Sequence, residues 1–211
     1  DQNGQTLGRW AAGFHAAHPE RAFAVSEYGA GGSILHQADP PGDVDPTSGW
    51  HPEQYQTEYH ERNWRDLADK PYLFGAFVWV AFDFASAGRP EGARRGINDR
   101  GLVTYDRRTR KDAWYWYQAN WSDKPMVHIT SSRLDIRRTP DVEVKAYTNA
   151  ATATLLVNGI EVATAPAVGR IARWNVRLRP GPNRIEVRTP SGSDSVEWRY
   201  LPAPSMISPT G

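Results

Sequence analysis

The sequence contains no cysteine. That excludes disulfides and thiolate metal sites, and it leaves the compartment open. It also lacks an excess of charge of either sign: 25 Lys and Arg stand against 24 Asp and Glu, for a net charge of +1. No basic block suggests a nucleic-acid partner, and there is no acidic tail. No apolar run is long enough to span a membrane as a helix. The chain opens Asp1-Gln2-Asn3-Gly4-Gln5, without Met and without a signal-peptide pattern. What the chain has in quantity is large aromatic side chains, with 9 Trp and 9 Tyr. Their faces stack on the apolar faces of sugar rings, which leans toward carbohydrate, although core packing is their commoner use.

The most informative stretch is Phe23-Ala24-Val25-Ser26-Glu27-Tyr28-Gly29-Ala30-Gly31-Gly32. Residues of strand character run into a carboxylate, and the glycines that follow break the strand. Glu27 is therefore expected at the C-terminal tip of a strand, facing a loop. A carboxylate held there is a candidate nucleophile or acid/base group. The competing reading is a strand-end Glu that caps a turn.

Around this stretch the order of elements is regular. A helix is expected over about 9–18, stopped by Pro19, then a strand over about 22–27 and a long Gly/Pro/Asp-rich loop over 29–52. A second helix is expected from about Pro52 to Asp69, with Pro in its first turn and apolar or aromatic positions at Tyr55, Tyr59, Trp64 and Leu67. The run Tyr72–Asp83 reads as a strand covered on both faces. A second long loop carries Gly96-Ile97-Asn98-Asp99-Arg100-Gly101, and a helix is expected over about 108–120. Strand, loop, helix, strand, loop, helix is the repeat of a (β/α) barrel, whose sites lie on the loops after the strands.

The pattern changes at Ser122-Asp123-Lys124-Pro125. Short alternating segments follow: Met126–Ile136, Val142–Tyr147, Ala153–Val157, Ile160–Thr164, Ile171–Leu178, Arg184–Arg188 and Ser195–Tyr200. Asn158-Gly159 between two of them is a hairpin signal. The expected fold is therefore α/β plus all-β: residues 1–121 as the C-terminal part of a (β/α)8 barrel, 122–201 as an immunoglobulin-like β-sandwich, and 202–211 as a disordered tail.

Three motifs carry a resemblance: Ser26-Glu27-Tyr28-Gly29, then Gly75-Ala76-Phe77-Val78-Trp79 with Asp83, then Asn98-Asp99-Arg100-Gly101-Leu102-Val103 with Asp106-Arg107 and Lys111-Asp112-Ala113. In this order the chain resembles glycoside hydrolase family 2, the family of bacterial β-galactosidases, β-glucuronidases and β-mannosidases. The resemblance implies that residues 1–121 are the end of the catalytic barrel and that 122–201 are a sandwich that follows it. It implies that Glu27 is the nucleophile of a retaining exo-β-glycosidase and that Trp79 walls the sugar subsite. It places Asn98 and Arg100 on a loop that contacts the sugar. In glucuronidases this loop reads Asn-x-Lys and clamps the substrate carboxylate. Arg100 could grip a carboxylate in a bidentate way, but Asp99 beside it would oppose an anion, which favours a neutral sugar and a β-galactosidase. His36, in the loop after Glu27, could reach substrate.

Retention needs a second carboxyl group about 5–5.5 Å from the first. The family's acid/base Glu follows an Asn, and this chain has no Asn-Glu pair. The partner group is therefore expected upstream, in the N-terminal portion of the same enzyme, and the chain alone is expected to be incomplete and inactive. Carbohydrate is the expected substrate, no cofactor or metal is implied, and self-association into a homo-oligomer is compatible with the sequence. His15 and His18 stand three apart on a helix, but nothing is placed to complete a metal site. Asp83 reads as a buried structural carboxylate paired with Arg94 or Arg95. The alternatives are a β-glucuronidase-type uronidase and, from another class, a non-catalytic carbohydrate-binding or assembly module built on the sandwich.

Overall fold

The structure is a computed structural model that describes residues 6–89 and 91–202. The chain divides into two compact units, the first running to Trp116 and the second starting at Tyr117. The tail expected from residue 202 lies, from 203 on, outside the described residues.

The first unit opens with α1 (Leu7–Ala17). Thr6 caps it, its hydroxyl accepting from the Arg9 amide at 3.3 Å, and the chain leaves the helix at His18, ahead of Pro19. β1 (Phe23–Tyr28) follows, then a long loop, then α2 (Glu53–Ala68), then β2 (Leu73–Val78). β1 and β2 are parallel, with Phe23 opposite Leu73 and Tyr28 opposite Val78. α2 is the crossover between them, as a parallel pair requires. α1 lies close on α2: a Cβ added at Gly8 would stand 2.5 Å from the Asp66 Cβ, and the Leu7 amide donates to Asn63 Oδ1 at 3.3 Å.

The expected strand over Tyr72–Asp83 is shorter than the apolar run. Beyond Val78 the chain leaves the strand, and β3 (Phe84–Ala85) pairs antiparallel with β4 (Ile97–Asn98), closing off a loop over 86–96. Within this chain β2 leaves Phe74 72% exposed and Phe77 58%. The expected helix over 108–120 is α3 (Asp112–Trp121). It starts late because residues 104–109 form a turn, with the Thr104 amide on the Thr109 carbonyl and Arg107 at φ 65°.

The second unit holds β5 (Val127–Ile129), β6 (Ile136–Arg137), β7 (Asp141–Thr148), β8 (Thr152–Val157), β9 (Ile160–Pro166), β10 (Ile171–Arg177), β11 (Gly181–Thr189) and β12 (Gly192–Tyr200). One sheet runs β10-β7-β5 and the other β6-β12-β11-β8-β9. Every pairing is antiparallel except β12 with β6. The segment expected as one strand over Met126–Ile136 is two, separated by a turn at Ser131, whose φ is 54°. The β8–β9 hairpin turns at Asn158-Gly159 with φ values of 55° and 80°, the paired left-handed conformation that a two-residue hairpin needs. The core contains Ile129, Val144, Leu155, Ile185, Val187 and Trp198. Period-two alternation builds it: along β7 the buried positions Val142, Val144 and Ala146 alternate with more exposed ones.

Candidate active site

Three backbone segments lie side by side at the C-terminal ends of β1 and β2. The Trp79 amide donates to the Tyr28 carbonyl at 2.7 Å, and the Val80 amide to the Arg100 carbonyl at 3.3 Å. Glu27, one residue from the end of β1, and Trp79, the residue after β2, therefore stand on one ledge with Arg100 next to them. Gly29 permits this closeness, because a Cβ there would overlap the Trp79 carbonyl oxygen. The Trp79–Val80 peptide is cis. Glu27 is exposed, and among the described residues no side chain donates to its carboxylate. Trp79 is 42% exposed and meets Phe84 edge-on at 5.9 Å.

Behind the ledge lies a buried polar lattice. His51 Nδ1 and Asp99 Oδ1 are 2.8 Å apart, and Asp99 Oδ2 accepts from the Ala93 amide. Lys111, with 0% exposure, donates to Asp83 Oδ1 at 2.7 Å and to the Asp99 carbonyl at 2.9 Å. Asp83 Oδ1 also accepts from the Gly101 amide at 2.9 Å. Asp83 is thus paired with Lys111, whereas Arg94 and Arg95, the expected partners, are exposed. Burial pushes the Asp83 carboxyl above its usual range against the pull of Lys111. Burial also pushes the Lys111 ammonium below its usual value, against the neighbouring carboxylates. For Asp99, burial raises the pKa, but the hydrogen bond and charge of His51, together with Lys111, outweigh it and hold the group low.

The buried face of α2 belongs to this lattice. It carries Glu53, Gln54, Gln56, Thr57, His60, Glu61 and Asn63, with Leu67 its one buried aliphatic residue. Gln56 Nε2 donates to the carbonyls of Ala30 and Gly101, at 2.9 and 3.1 Å. Glu53 takes the Asp112 amide on one oxygen and Gln37 on the other. Gly31 and Gly32 are glycine because a Cβ would press on His51 and on Gln56 respectively. One helix thereby holds the loop after β1, the loop after β4 and the start of α3.

The other expected site residues divide as follows. His36 is half-buried and serves the loop: its Nδ1 accepts from the His51 amide at 3.2 Å, and its ring lies 4.3 Å from that of Trp50. Burial is the largest influence lowering its pKa. Asn98 is buried and uses both ends of its amide, donating to Glu91 Oε2 at 3.1 Å and accepting from the Arg100 amide at 3.1 Å. Arg100 Nη2 reaches the same Glu91 oxygen at 3.3 Å and the Pro46 carbonyl at 3.4 Å. Asp99 points inward to His51, so it does not stand between Arg100 and an anion as the sequence suggested. The carboxylate that does meet Arg100 is Glu91, which sequence reasoning missed. Its position in a loop of Gly, Pro and Arg gave no signal beyond being charged. Lys111, singled out in the sequence only as part of the Lys111-Asp112-Ala113 motif, is a buried structural cation.

Among the described residues, the aromatic side chains of the sandwich strands form no exposed sugar platform. Tyr147, Trp174 and Trp198 are buried, and Tyr200 is half-buried.

No family model matches the chain. A β-glucuronidase of Bacteroides fragilis is 45% identical over 179 residues, which is 83% of this chain and 26% of that protein. Among solved structures, an FMN-binding β-glucuronidase from Faecalibacterium prausnitzii L2-6 superposes with a TM-score of 0.84 at 38% identity, over 92% of this chain and 29% of its own. Bacteroides uniformis β-glucuronidase 2, covalently bound to cyclophellitol-6-carboxylate aziridine, superposes with a TM-score of 0.75 at 28% identity, over 93% of this chain and 24% of its own. β-Galactosidases stand among the matches as well. These relatives are glycoside hydrolases, and this chain spans about a quarter of the length of the first of them.

Proposed function

We propose that the chain is the C-terminal part of a retaining exo-β-glycosidase of glycoside hydrolase family 2, with residues 1–121 ending a (β/α)8 barrel, 122–201 forming a sandwich, and Glu27 as nucleophile. The observation that carries this reading is the shared ledge: Glu27, exposed at the C-terminal end of β1, and Trp79, exposed just past the C-terminal end of the parallel β2, on backbone segments joined by the Trp79 amide and the Tyr28 carbonyl. The Glu27 carboxylate attacks the anomeric carbon as the glycosidic C–O bond breaks. The leaving oxygen takes a proton from an acid group on the remainder of the enzyme. Water then opens the glycosyl ester with that same group as base, and the configuration is retained. Trp79 offers a face to the sugar ring. The covalent aziridine adduct of the Bacteroides uniformis relative is what a side chain that bonds its ligand would leave.

Two sugar classes fit. A neutral β-galactoside is favoured by Glu91, which already neutralises Arg100. A β-glucuronide is favoured by the 45% identical relative and by the inward turn of Asp99. A non-catalytic sugar-binding sandwich is disfavoured by the burial of its aromatic residues.

The test is Glu27→Gln in the full-length enzyme, assayed on nitrophenyl β-galactoside and β-glucuronide. Gln nearly preserves shape but cannot form the ester, so turnover on both should fall by about a thousandfold or more. Substantial residual turnover removes Glu27 from the mechanism. The chain by itself should be inactive on both substrates, because its partner acid is proposed to lie elsewhere in the enzyme. Turnover by the purified chain would show that it holds a complete site.

A further inference from the structure

Glu91 sits in the loop that β3 and β4 close, and its side chain is only 13% exposed. Two donors converge on its Oε2: Asn98 Nδ2 at 3.1 Å and Arg100 Nη2 at 3.3 Å. Arg89 Nη1 stands 3.8 Å from the other oxygen. An amide and a guanidinium aimed at one carboxylate oxygen form a carboxylate receptor, and here it is filled by the chain's own side chain. The Arg100 main chain adjoins the ledge, because its carbonyl accepts from the amide of Val80, the residue after Trp79. We propose that Glu91 is a specificity-determining residue that occupies the Asn98–Arg100 fork, so that a uronic acid must displace it whereas a neutral sugar need not. This rests on the glycosidase reading above and adds to it the residue that sets the charge of the preferred sugar.

The physical reasoning is direct. With Glu91 in place, the Arg100 guanidinium already has a carboxylate partner, and an arriving carboxylate meets a like charge at that position. Replacing the carboxylate by an amide removes that repulsion and frees Arg100 for a charged acceptor. A hydrogen bond to a charged group is worth enough to change affinity by about tenfold or more.

The experiment uses the full-length enzyme and reads the ratio of kcat/KM on nitrophenyl β-glucuronide to that on nitrophenyl β-galactoside. Glu91→Gln and Glu91→Ala should each raise this ratio by about tenfold or more. Adding Arg100→Met to Glu91→Gln should abolish the gain, since the gain requires the freed guanidinium. If Glu91 only ties the loop together, both substrates fall in parallel and the ratio stays put, which overturns the proposal. A ratio that rises but survives Arg100→Met also overturns it. The glycosidase reading is judged separately by Glu27→Gln: inactivity there with an unchanged Glu91 ratio refutes only the fork, and activity there refutes the underlying reading.

Discussion

Lys111→Met should unlock the lattice behind the ledge. Methionine keeps most of the aliphatic stem and removes the ammonium, which has two partners: Asp83 Oδ1 at 2.7 Å and the Asp99 carbonyl at 2.9 Å. Among the described residues, Asp83 then keeps the Gly101 amide alone. Lys111 is fully buried and Asp83 nearly so, so solvent cannot replace the lost charge. Breaking such a pair from one side costs about 3–5 kcal/mol. Two lost hydrogen bonds to a charged donor, at about 1.5–3 kcal/mol each, give a similar figure. The assay is hydrogen exchange of peptides covering residues 97–112 in the full-length enzyme, because these residues depend on Lys111. A loss of about 4 kcal/mol should speed exchange of the protected amides there by roughly a thousandfold. The pH dependence follows from the sign of the Asp83 shift. Burial already raises this carboxyl, and without Lys111 it rises further. Its folded-state value then exceeds the unfolded one, so the variant is most stable below the unfolded value and weakens as pH climbs through the folded one. The deficit against wild type should therefore shrink toward acid. Adding Asp83→Asn should restore about half of the protection, since the neutral amide can still accept from Gly101. An acceleration below about tenfold, or a deficit independent of pH, would refute the reasoning.

Two further outcomes are expected. Gly29→Ala sets a methyl against the Trp79 carbonyl, so Glu27 or Trp79 must move; kcat/KM should fall by about a hundredfold, and a change within about threefold would show that the ledge tolerates the shift. His60 is held neutral, its pKa lowered to about 3 by burial and then by the Lys111 charge; its stabilising contribution is full above the unfolded value of about 6.5 and is lost as pH falls toward the folded one, at up to about 1.4 kcal/mol per pH unit. His60→Gln should flatten that decline in the exchange protection of α2, and an unchanged slope would remove His60 as its source.

The second unit was the more legible part of the fold. Alternation marks strands such as β7, and Asn158-Gly159 carries its turn conformation in its residue types. The ends of β1 and β2 were readable for a similar reason: the glycines after Glu27 and the break after Val78 are local signals. The polar lattice was not readable. Gln54, Gln56, Glu53 and Asn63 look like the solvent face of α2, whereas Tyr55, Tyr59 and Trp64 look like its core face. The structure buries the former because loop carbonyls and amides need partners there, a tertiary demand that no periodicity displays. For the same reason Asp99, next to Arg100 in sequence, suggested repulsion of an anion, while its side chain turns inward to His51. The carboxylate that matters for Arg100 is nine residues away, at Glu91.

The loop after β1 has its neck fixed by three hydrogen bonds. The Ser33 amide bonds the His51 carbonyl, and the His51 amide bonds His36; the Ala38 amide is tied to Gln54 on α2. Residues 39–50 are therefore a side excursion from a closed ring, and doubling its length would cost only about 0.6 kcal/mol in closure entropy. Its middle nevertheless touches the site, through the Pro46 carbonyl on Arg100. A change of length within its middle leaves the neck intact, whereas a change at Pro46 is felt at the guanidinium. On the glycosidase reading proposed above, the excursion is a natural place to retune which sugars are accepted while the chemistry stays fixed.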